Sequence, residues 1–257
     1  MSPPISRLQL LGTRLRLLAK VRRSNILFGD VQYNADGVAT VHDARFLVDP
    51  AFTEAYAAGL ATGSWGEPGI GRVDLRWRAQ VILWAVDATR SLPGALVECG
   101  VNRGGFTAAI HARFPDFRAE PRVHYLFDTF AGLDASLLGP EERALSTHYS
   151  YTDVYEEVRQ RFGNTPGIRI VKGSIPDTLT EYQGEPVSFL SIDMNCTPPE
   201  QAALEFFWPE LLPGAIVVLD DHAHPMHRGQ GEMHRAFAKS VERSILVLPT
   251  GQGLLIK

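Results

Sequence analysis

Residues 95–105 read ALVECGVNRGG, and this stretch decides the fold. Ala95–Cys99 is a short, largely apolar run of the length of one buried strand, and a glycine-rich turn follows it. The next residues, Phe106–Phe114, have the composition of a helix. A buried strand, a glycine turn and a helix begin a repeating unit in which parallel strands are covered by helices on both faces.

The same alternation continues to the end of the chain. Further strands are predicted at Val123–Phe130, Ile168–Val171, Val187–Ile192 and Ala215–Leu219. Helices are predicted at Leu75–Thr89, around Val154–Phe162, at 199–212 (where Pro213-Gly214 would end the helix) and at 230–241. The segments Ile245–Leu248 and Leu254–Ile256 flank TGQG, a hairpin signal that adds an antiparallel strand. We therefore predict an α/β fold.

Composition excludes several classes of protein. The 257 residues are 45% hydrophobic and 21% charged, as in an ordinary globular protein of one large domain. No apolar run reaches the roughly 18 residues of a membrane span, and two cysteines are too few for a disulfide scaffold. The net charge of −4 argues against a nucleic-acid partner, and we expect a cytoplasmic protein.

The N-terminal segment differs from the rest. Residues 1–29 carry six basic side chains and no acid, and their leucines recur at helical spacing. We predict a basic amphipathic helix that packs on the body or on a second subunit; contact with a membrane surface is the less favoured alternative. We assign residues 1–74 to this helix and a following segment of loops and short helices, and residues 75–257 to the main domain.

Acidic residues end most of the predicted strands. They are Glu98, Asp128, Asp193 and the pair Asp220-Asp221. Ligands of open α/β sheets bind at the carboxyl ends of the strands. Acids crowded there need a cation or hydrogen-bond donors to relieve their repulsion.

The first glycine turn and the second strand end together indicate a cofactor. The turn lacks the GxGxxG spacing of a dinucleotide site, and the acid before Gly100 suits a ligand with a cationic group. Asp128 is placed to accept hydrogen bonds from ribose hydroxyls. This combination favours S-adenosylmethionine; the alternative is a glycine-rich turn that binds nothing.

A metal site is the second candidate. Asp193 and Asp220-Asp221 should follow neighbouring strands, and three carboxylates form an oxygen site suited to Mg²⁺. The alternative is that one aspartate caps a helix while another pairs with an arginine. Nearby histidines could also bind metal or accept a proton. We expect His222 to face the cleft, and His224, His227 and His234 to be solvated loop side chains.

Five motifs, in this order, carry a family resemblance: residues 97–105, 127–133 (FDTFAGL), 173–179 (GSIPDTL), 191–193 (SID) and 219–221 (LDD). Over residues 75–257 the chain resembles the TylF/MycF/NovP family of S-adenosylmethionine-dependent, Mg²⁺-dependent O-methyltransferases, which typically act on hydroxyls of sugars or related natural products. The resemblance implies the class I methyltransferase fold, a Rossmann-like sheet of seven strands whose last strand is antiparallel.

The resemblance also implies roles for residues. The metal ligands would be Asp193, Asp220 and Asp221, with Asp193 or His222 as proton acceptor. Two positions depart from the family: Asn195 stands where a second acid is frequent, and His222 stands where an aromatic residue is common. The cofactor would be bound by Glu98, Gly100, Asn102, Thr107, Asp128, Thr129 and Ser174.

The expected function follows from these assignments. We expect a homo-oligomeric O-methyltransferase with a small-molecule acceptor, over which the insertion 131–167 and the N-terminal segment close as lids. The alternatives are a metal-independent C- or N-methyltransferase, an aminopropyltransferase, and a non-catalytic methyltransferase-like binding module.

Overall fold

The computed structural model describes residues 30–65, 74–119, 122–146 and 152–257. They divide into two units, residues 30–34 with 38–44, and residues 35–37 with 45–257. The basic helix predicted within residues 1–29 lies outside the described residues. Within the described ranges, no helix is long and apolar enough to cross a membrane.

The segment after residue 29 contains more regular secondary structure than the loops and short helices that the sequence predicted. Strands Tyr33–Ala35 (β1) and Val38–Thr40 (β2) form a two-stranded sheet. The turn between them has positive φ at Asp36 (47°) and Gly37 (74°), as tight hairpin turns require. A 3₁₀ turn at Arg45–Val48 precedes a full helix, so the prediction of short helices is confirmed and the hairpin is an addition.

The second unit is built on a seven-stranded sheet. Its order is β5-β4-β3-β6-β7-β9-β8, with β3 to β7 parallel and β9 antiparallel to both of its neighbours. The predicted α/β fold with an antiparallel last strand is therefore confirmed. The strands are Ala95–Cys99 (β3), His124–Asp128 (β4), Ile168–Lys172 (β5), Val187–Ile192 (β6), Leu211–Leu219 (β7), Leu246–Val247 (β8) and Gly253–Ile256 (β9).

Helices cover both faces of the sheet. Along β3, Val97 belongs to the same apolar cluster as Phe207, whereas the adjacent Leu96 belongs to a second cluster with Ile82. Successive strand residues point to opposite faces, so both faces are buried. The helices are Pro50–Leu60 (α1), Arg76–Ala88 (α2), Gly105–Arg113 (α3), Asp116–Ala119 (α4), Pro140–Ser146 (α5), Tyr155–Phe162 (α6), Thr197–Phe207 (α7) and Arg228–Ser240 (α8).

One predicted boundary is wrong. Helix α7 ends at Phe207 and β7 begins at Leu211, so Pro213-Gly214 lies inside a strand and does not end a helix. Both residues are exposed, and the pairing of β7 with β6 shifts register in this region. Proline is tolerated in a strand at such an irregularity, where no ladder hydrogen bond is required of it.

The strand ends place the acidic residues at one edge of the sheet. Asp128 ends β4, Asp193 follows β6, and Asp220 follows β7. Close packing at this edge explains why residue 100 is a glycine. Its φ is +93°, and a Cβ added to it would lie 1.8 Å from the Asp193 carbonyl oxygen. Only glycine fits there.

Candidate functional site

A cavity of about 410 Å³ lies at the carboxyl ends of the parallel strands. Of the predicted site residues, it is lined by Gly100, Asn102, Asp128, Thr129, Ser174, Asp193, Asp220 and Asp221. Glu98, Thr107 and His222 do not line it. Residues of the wall that the sequence prediction did not include are Asp36, Trp65, Arg78, Asn195, His224 and His227, among others.

Asp128 is held by backbone amides. Its Oδ2 accepts hydrogen bonds from the N–H of Val101 (2.6 Å) and of Asn102 (2.7 Å), and its Oδ1 accepts one from the N–H of Phe130 (2.6 Å). Asn102 and Phe130 have positive φ values of 51° and 55°, which belong to the two turns that donate these bonds. Oδ1 also accepts a long 3.4 Å hydrogen bond from the Thr129 hydroxyl, a weak contact that a ligand hydroxyl in the cavity would replace.

Glu98 and Thr107 form a buried network behind the wall. Glu98 is 2% exposed, and its Oε1 accepts a hydrogen bond from the Thr107 hydroxyl at 2.8 Å. The same oxygen lies 2.9 Å from His124 Nε2, and His124 in turn contacts His111. These side chains tie β3 to α3 and β4, so both residues would support the cavity from behind rather than touch a ligand in it.

The structure brings the second set of acids together. Asp193 and the pair Asp220-Asp221 each offer an oxygen, and these oxygens all lie within 4.8 Å of one another. Burial, followed by the charges of Asp220 and Asp221, raises the pKa of Asp193 well above its usual value. Burial and the charge of Asp220 raise the pKa of Asp221 to about 8. Negative charge is therefore in excess here.

Arg78 of α2 partly offsets this charge. Its guanidinium is paired with Asp220 Oδ2 at 2.5 Å and Asp36 Oδ2 at 2.7 Å, and lies 3.7 Å from Asp221 Oδ1. Burial lowers the pKa of Arg78, but Asp220 and Asp36 more than reverse this effect. The sequence prediction missed Arg78. The clue to it was its position four residues before Ile82, which places it on the buried face of α2.

The donor set fits a divalent cation. One guanidinium faces the carboxylates of Asp36, Asp193, Asp220 and Asp221, and burial raises the pKa of Asp36 as well. Carboxylate oxygens are the ligands that Mg²⁺ prefers, and a dication would remove the excess negative charge. The predicted alternative, pairing of an aspartate with an arginine, is also present at Asp220.

The histidines are more buried than predicted. His227 is 5% and His234 is 1% exposed, so the prediction that they are solvated is wrong. His234 Nε2 lies 3.0 Å from Glu200 Oε2, because α8 packs against α7. His222 is also buried, its ring centre 5.6 Å from that of His234, and burial lowers its pKa to about 4. His224 is half-buried in the cavity wall.

Glu200 holds the loop that carries Asp193. Its Oε1 accepts hydrogen bonds from the N–H of Met194 (3.0 Å) and of Asn195 (3.1 Å), and from the Gln230 amide (2.7 Å). Asn195 has a positive φ of 54°. The buried carboxylate of α7 therefore fixes the turn after β6, and with it the position of Asp193.

The sheet order and the antiparallel last strand define the class I methyltransferase fold. The macrocin-O-methyltransferase (TylF) family matches residues 57–244. The chain therefore belongs to this family of O-methyltransferase enzymes, and the resemblance read from the motifs is confirmed.

Two curated relatives from Streptomyces are O-methyltransferases. The 8-demethyl-8-(2,3-dimethoxy-alpha-L-rhamnosyl)-tetracenomycin-C 4'-O-methyltransferase of Streptomyces olivaceus is 30% identical over 142 residues, covering 51% of this chain and 54% of the relative. The demethyldecarbamoylnovobiocin O-methyltransferase of Streptomyces niveus is 27% identical over 141 residues, with the same coverage. The chain thus spans about half the length of the curated relatives it matches.

A solved structure shows the same fold. The O-methyltransferase NovP superposes with a TM-score of 0.59 at 21% identity, covering 70% of this chain and 79% of that chain.

Proposed function

We propose that this chain transfers the methyl group of S-adenosylmethionine to a hydroxyl oxygen of a sugar or natural-product small molecule, with Mg²⁺ as a required ion. The observation that carries the proposal is the convergence of Asp193, Asp220 and Asp221 on the cavity that also contains the glycine turn and Asp128. Family membership supports the reaction class, and the names of both curated relatives support the acceptor class.

The cofactor half of the cavity is assigned to the first two strand ends. Asp128 would accept hydrogen bonds from ribose hydroxyls, because backbone amides already fix the orientation of its carboxylate. When bound, S-adenosylmethionine supplies a methyl group activated by its sulfonium. The neighbouring residues assigned to cofactor binding are Gly100, Asn102, Thr129 and Ser174.

The acceptor half is assigned to the acid cluster. Asp193, Asp220 and Asp221 would hold Mg²⁺, which when bound supplies the Lewis acidity that makes a hydroxyl a better nucleophile. Asp193 is our choice of proton acceptor, because its carboxylate lines the cavity whereas His222 is buried outside the wall. Arg78 would hold Asp220 in one orientation through their ion pair.

The lids and the subunit arrangement are further parts of the proposal. Leu133, Leu137 and Val154 of the insertion 131–167 line the cavity, as do Ser64 and Trp65 of the N-terminal segment. The apolar side chains among them would exclude water from the acceptor, and the whole set would select it. We keep the division into residues 1–74 and 75–257, and propose that residues 1–29, which lie outside the described residues, contact a second copy.

One observation favours a second candidate, a methyltransferase that needs no metal. The ion pair between Arg78 and Asp220 already supplies one positive charge to the acid cluster. In that case the carboxylates would orient the acceptor by hydrogen bonds alone. Dependence on an added divalent cation distinguishes the two candidates.

The test is Asp193→Asn, which keeps the size of the side chain and removes its charge. We expect turnover to fall by about 10²–10³, equivalent to about 3–4 kcal/mol of transition-state stabilisation. Binding of S-adenosylhomocysteine, measured by calorimetry, should change by less than about twofold. Asp87→Asn, at an exposed acid of α2 outside the cavity wall, is the matched control and should leave both unchanged.

Two results would reject the metal role. One is turnover of the Asp193→Asn variant within about tenfold of the parent. The other is full turnover of the parent protein in EDTA. Failure to bind any adenosyl compound would instead favour the non-catalytic binding module.

A further inference from the structure

We infer that Asp221, His224 and His227 form a second cation site, suited to a borderline transition-metal ion such as Zn²⁺ or Co²⁺. Each residue offers one ligand atom, and the three atoms lie within 4.8 Å of one another. All three residues line the cavity. Asp221 also belongs to the three-aspartate cluster, so the two sites would be adjacent and share this residue.

The same backbone hydrogen bond, from the N–H of one residue to the carbonyl three residues before it, recurs between Asp221 and His227. The N–H of His224 donates to the Asp221 carbonyl at 3.1 Å, and the N–H of His227 donates to the His224 carbonyl at 3.0 Å. Residues spaced by three in such turns lie above one another on one edge. His227 is the N-cap of α8, and its carbonyl accepts from Gly231 in the first turn of that helix. The ligands therefore lie on a hydrogen-bonded framework.

The distances suit metal ligation better than a direct hydrogen bond. His227 Nε2 lies 3.6 Å from Asp221 Oδ2. Two ligands about 2.1 Å from a tetrahedral ion lie about 3.4 Å apart. The rings of His224 and His227 are 5.2 Å apart and inclined by 50°, so they are not stacked on each other. His224 Nδ1 accepts only a long 3.4 Å bond from the N–H of Met226, and metal binding through Nε2 would sacrifice little.

The donor types indicate the class of ion. Imidazole nitrogens suit Zn²⁺, Co²⁺, Ni²⁺ and Fe²⁺, whereas Mg²⁺ takes oxygen ligands. Two imidazoles and a carboxylate leave open coordination positions, as in metal sites that bind a further ligand. The neighbouring carboxylates of Asp193 and Asp220 add negative charge that favours any cation. This site does not depend on methyl transfer.

The test is paramagnetic NMR of the full chain loaded with Co²⁺ after chelator treatment. Histidines bound to Co²⁺ give strongly shifted N–H resonances that disappear in D₂O. We expect two such resonances for the parent protein, one for His224→Gln and none for the double variant His224→Gln/His227→Gln. Calorimetry should show that each single substitution weakens Co²⁺ binding at least about tenfold, the smallest loss typical of a perturbed metal shell.

Two controls keep the test specific. His42→Gln, at an exposed histidine, should retain both resonances. Asp193→Asn should also retain both, because this residue belongs only to the oxygen site. His224 is only half-buried, so its variant remains informative even if the change at buried His227 disturbs folding.

The inference is overturned by either of two results: no shifted N–H resonance in the Co²⁺-loaded parent protein, or two resonances that persist in His224→Gln. Loss of both resonances in Asp193→Asn would also overturn it, since the ion would then depend on the three-aspartate cluster. None of these measurements uses methyl transfer, so the result can be interpreted even if the proposed function is wrong.

Discussion

The two halves of the cavity treat buried negative charge in opposite ways. Asp128 receives three backbone N–H donors at 2.6–2.7 Å, from Val101, Asn102 and Phe130. Asp193 and Asp221, by contrast, lie in a cluster of carboxylates that shares one guanidinium, and their pKa values are raised. The first carboxylate is stabilised by the fold itself, whereas the second group is left with charge to be neutralised.

This difference bears on what each half can bind. A carboxylate already fixed by amides is a rigid acceptor for neutral hydroxyl donors and needs no counterion. Crowded carboxylates store repulsion that is released when a cation binds, so ligand binding there is coupled to stability.

The largest effect is expected from Arg78→Met. This change leaves the buried Asp220 and the half-buried Asp36 without their ion-pair partner, and the loss of such a partner from a buried charge typically costs about 3–5 kcal/mol. The free energy of unfolding, measured by urea titration at pH 7, should fall by that amount. Mg²⁺ should restore more stability to this variant than to the parent protein, because the acid cluster has then lost its only cation among the described residues.

Arg159→Met is the control at an exposed ion pair. Arg159 pairs with Glu156, the two side chains are 55% and 57% exposed, and such pairs contribute little to stability, so the free energy of unfolding should hardly change. Equal losses of stability in the two variants would show that the acid cluster does not need a cation, and the contrast between the two halves would fail.

An intermediate effect is expected from Asp128→Asn. The new side chain keeps one acceptor oxygen, but its NH₂ group cannot accept a backbone N–H, so one of the turns after β3 or β4 loses its partner at a cost of about 1–3 kcal/mol. Binding of S-adenosylhomocysteine should weaken about tenfold or more, and added Mg²⁺ should not restore it. A variant with unchanged affinity would remove Asp128 from the cofactor site.

Local patterns predicted the fold and the positions of the acids. Ala95–Cys99 and Val187–Ile192 are strands with the predicted bounds, because continuous apolar runs between breakers are an unambiguous signal. Parallel strands end at a common edge, which is why Asp193 and Asp220 could be expected to meet. The error at Pro213-Gly214 arose where a strand irregularity accommodates residues that usually end elements.

Long-range contacts could not be predicted. Arg78 pairs with Asp36 and Asp220, which are 42 and 142 residues away in the chain, and no periodicity encodes such a pair. The burial of His227 and His234 depends in the same way on the packing of α8 against α7. A polar side chain on the apolar face of a predicted helix is the available clue, and it identifies the residue but not its partner.

The smallest and most specific effect is a pH dependence. The pKa of Asp221 is raised to about 8 in the folded protein, against about 3.9 in an unfolded chain. Between these values the folded state binds more protons, so the contribution of this carboxyl to stability is fully present below about pH 4 and is lost as the pH rises through 8. In EDTA, Asp221→Asn should therefore be more stable than the parent at pH 8 by about 1 kcal/mol or more, the equivalent of one pKa unit.

At pH 4 this difference in stability should vanish. At pH 8 a saturating divalent cation should reverse its sign, because only the parent retains the shared ligand. Thermal unfolding of both proteins at the two pH values decides the matter. If their difference in stability is the same at pH 4 and pH 8, Arg78 already neutralises the cluster, and the second half of the cavity resembles the first.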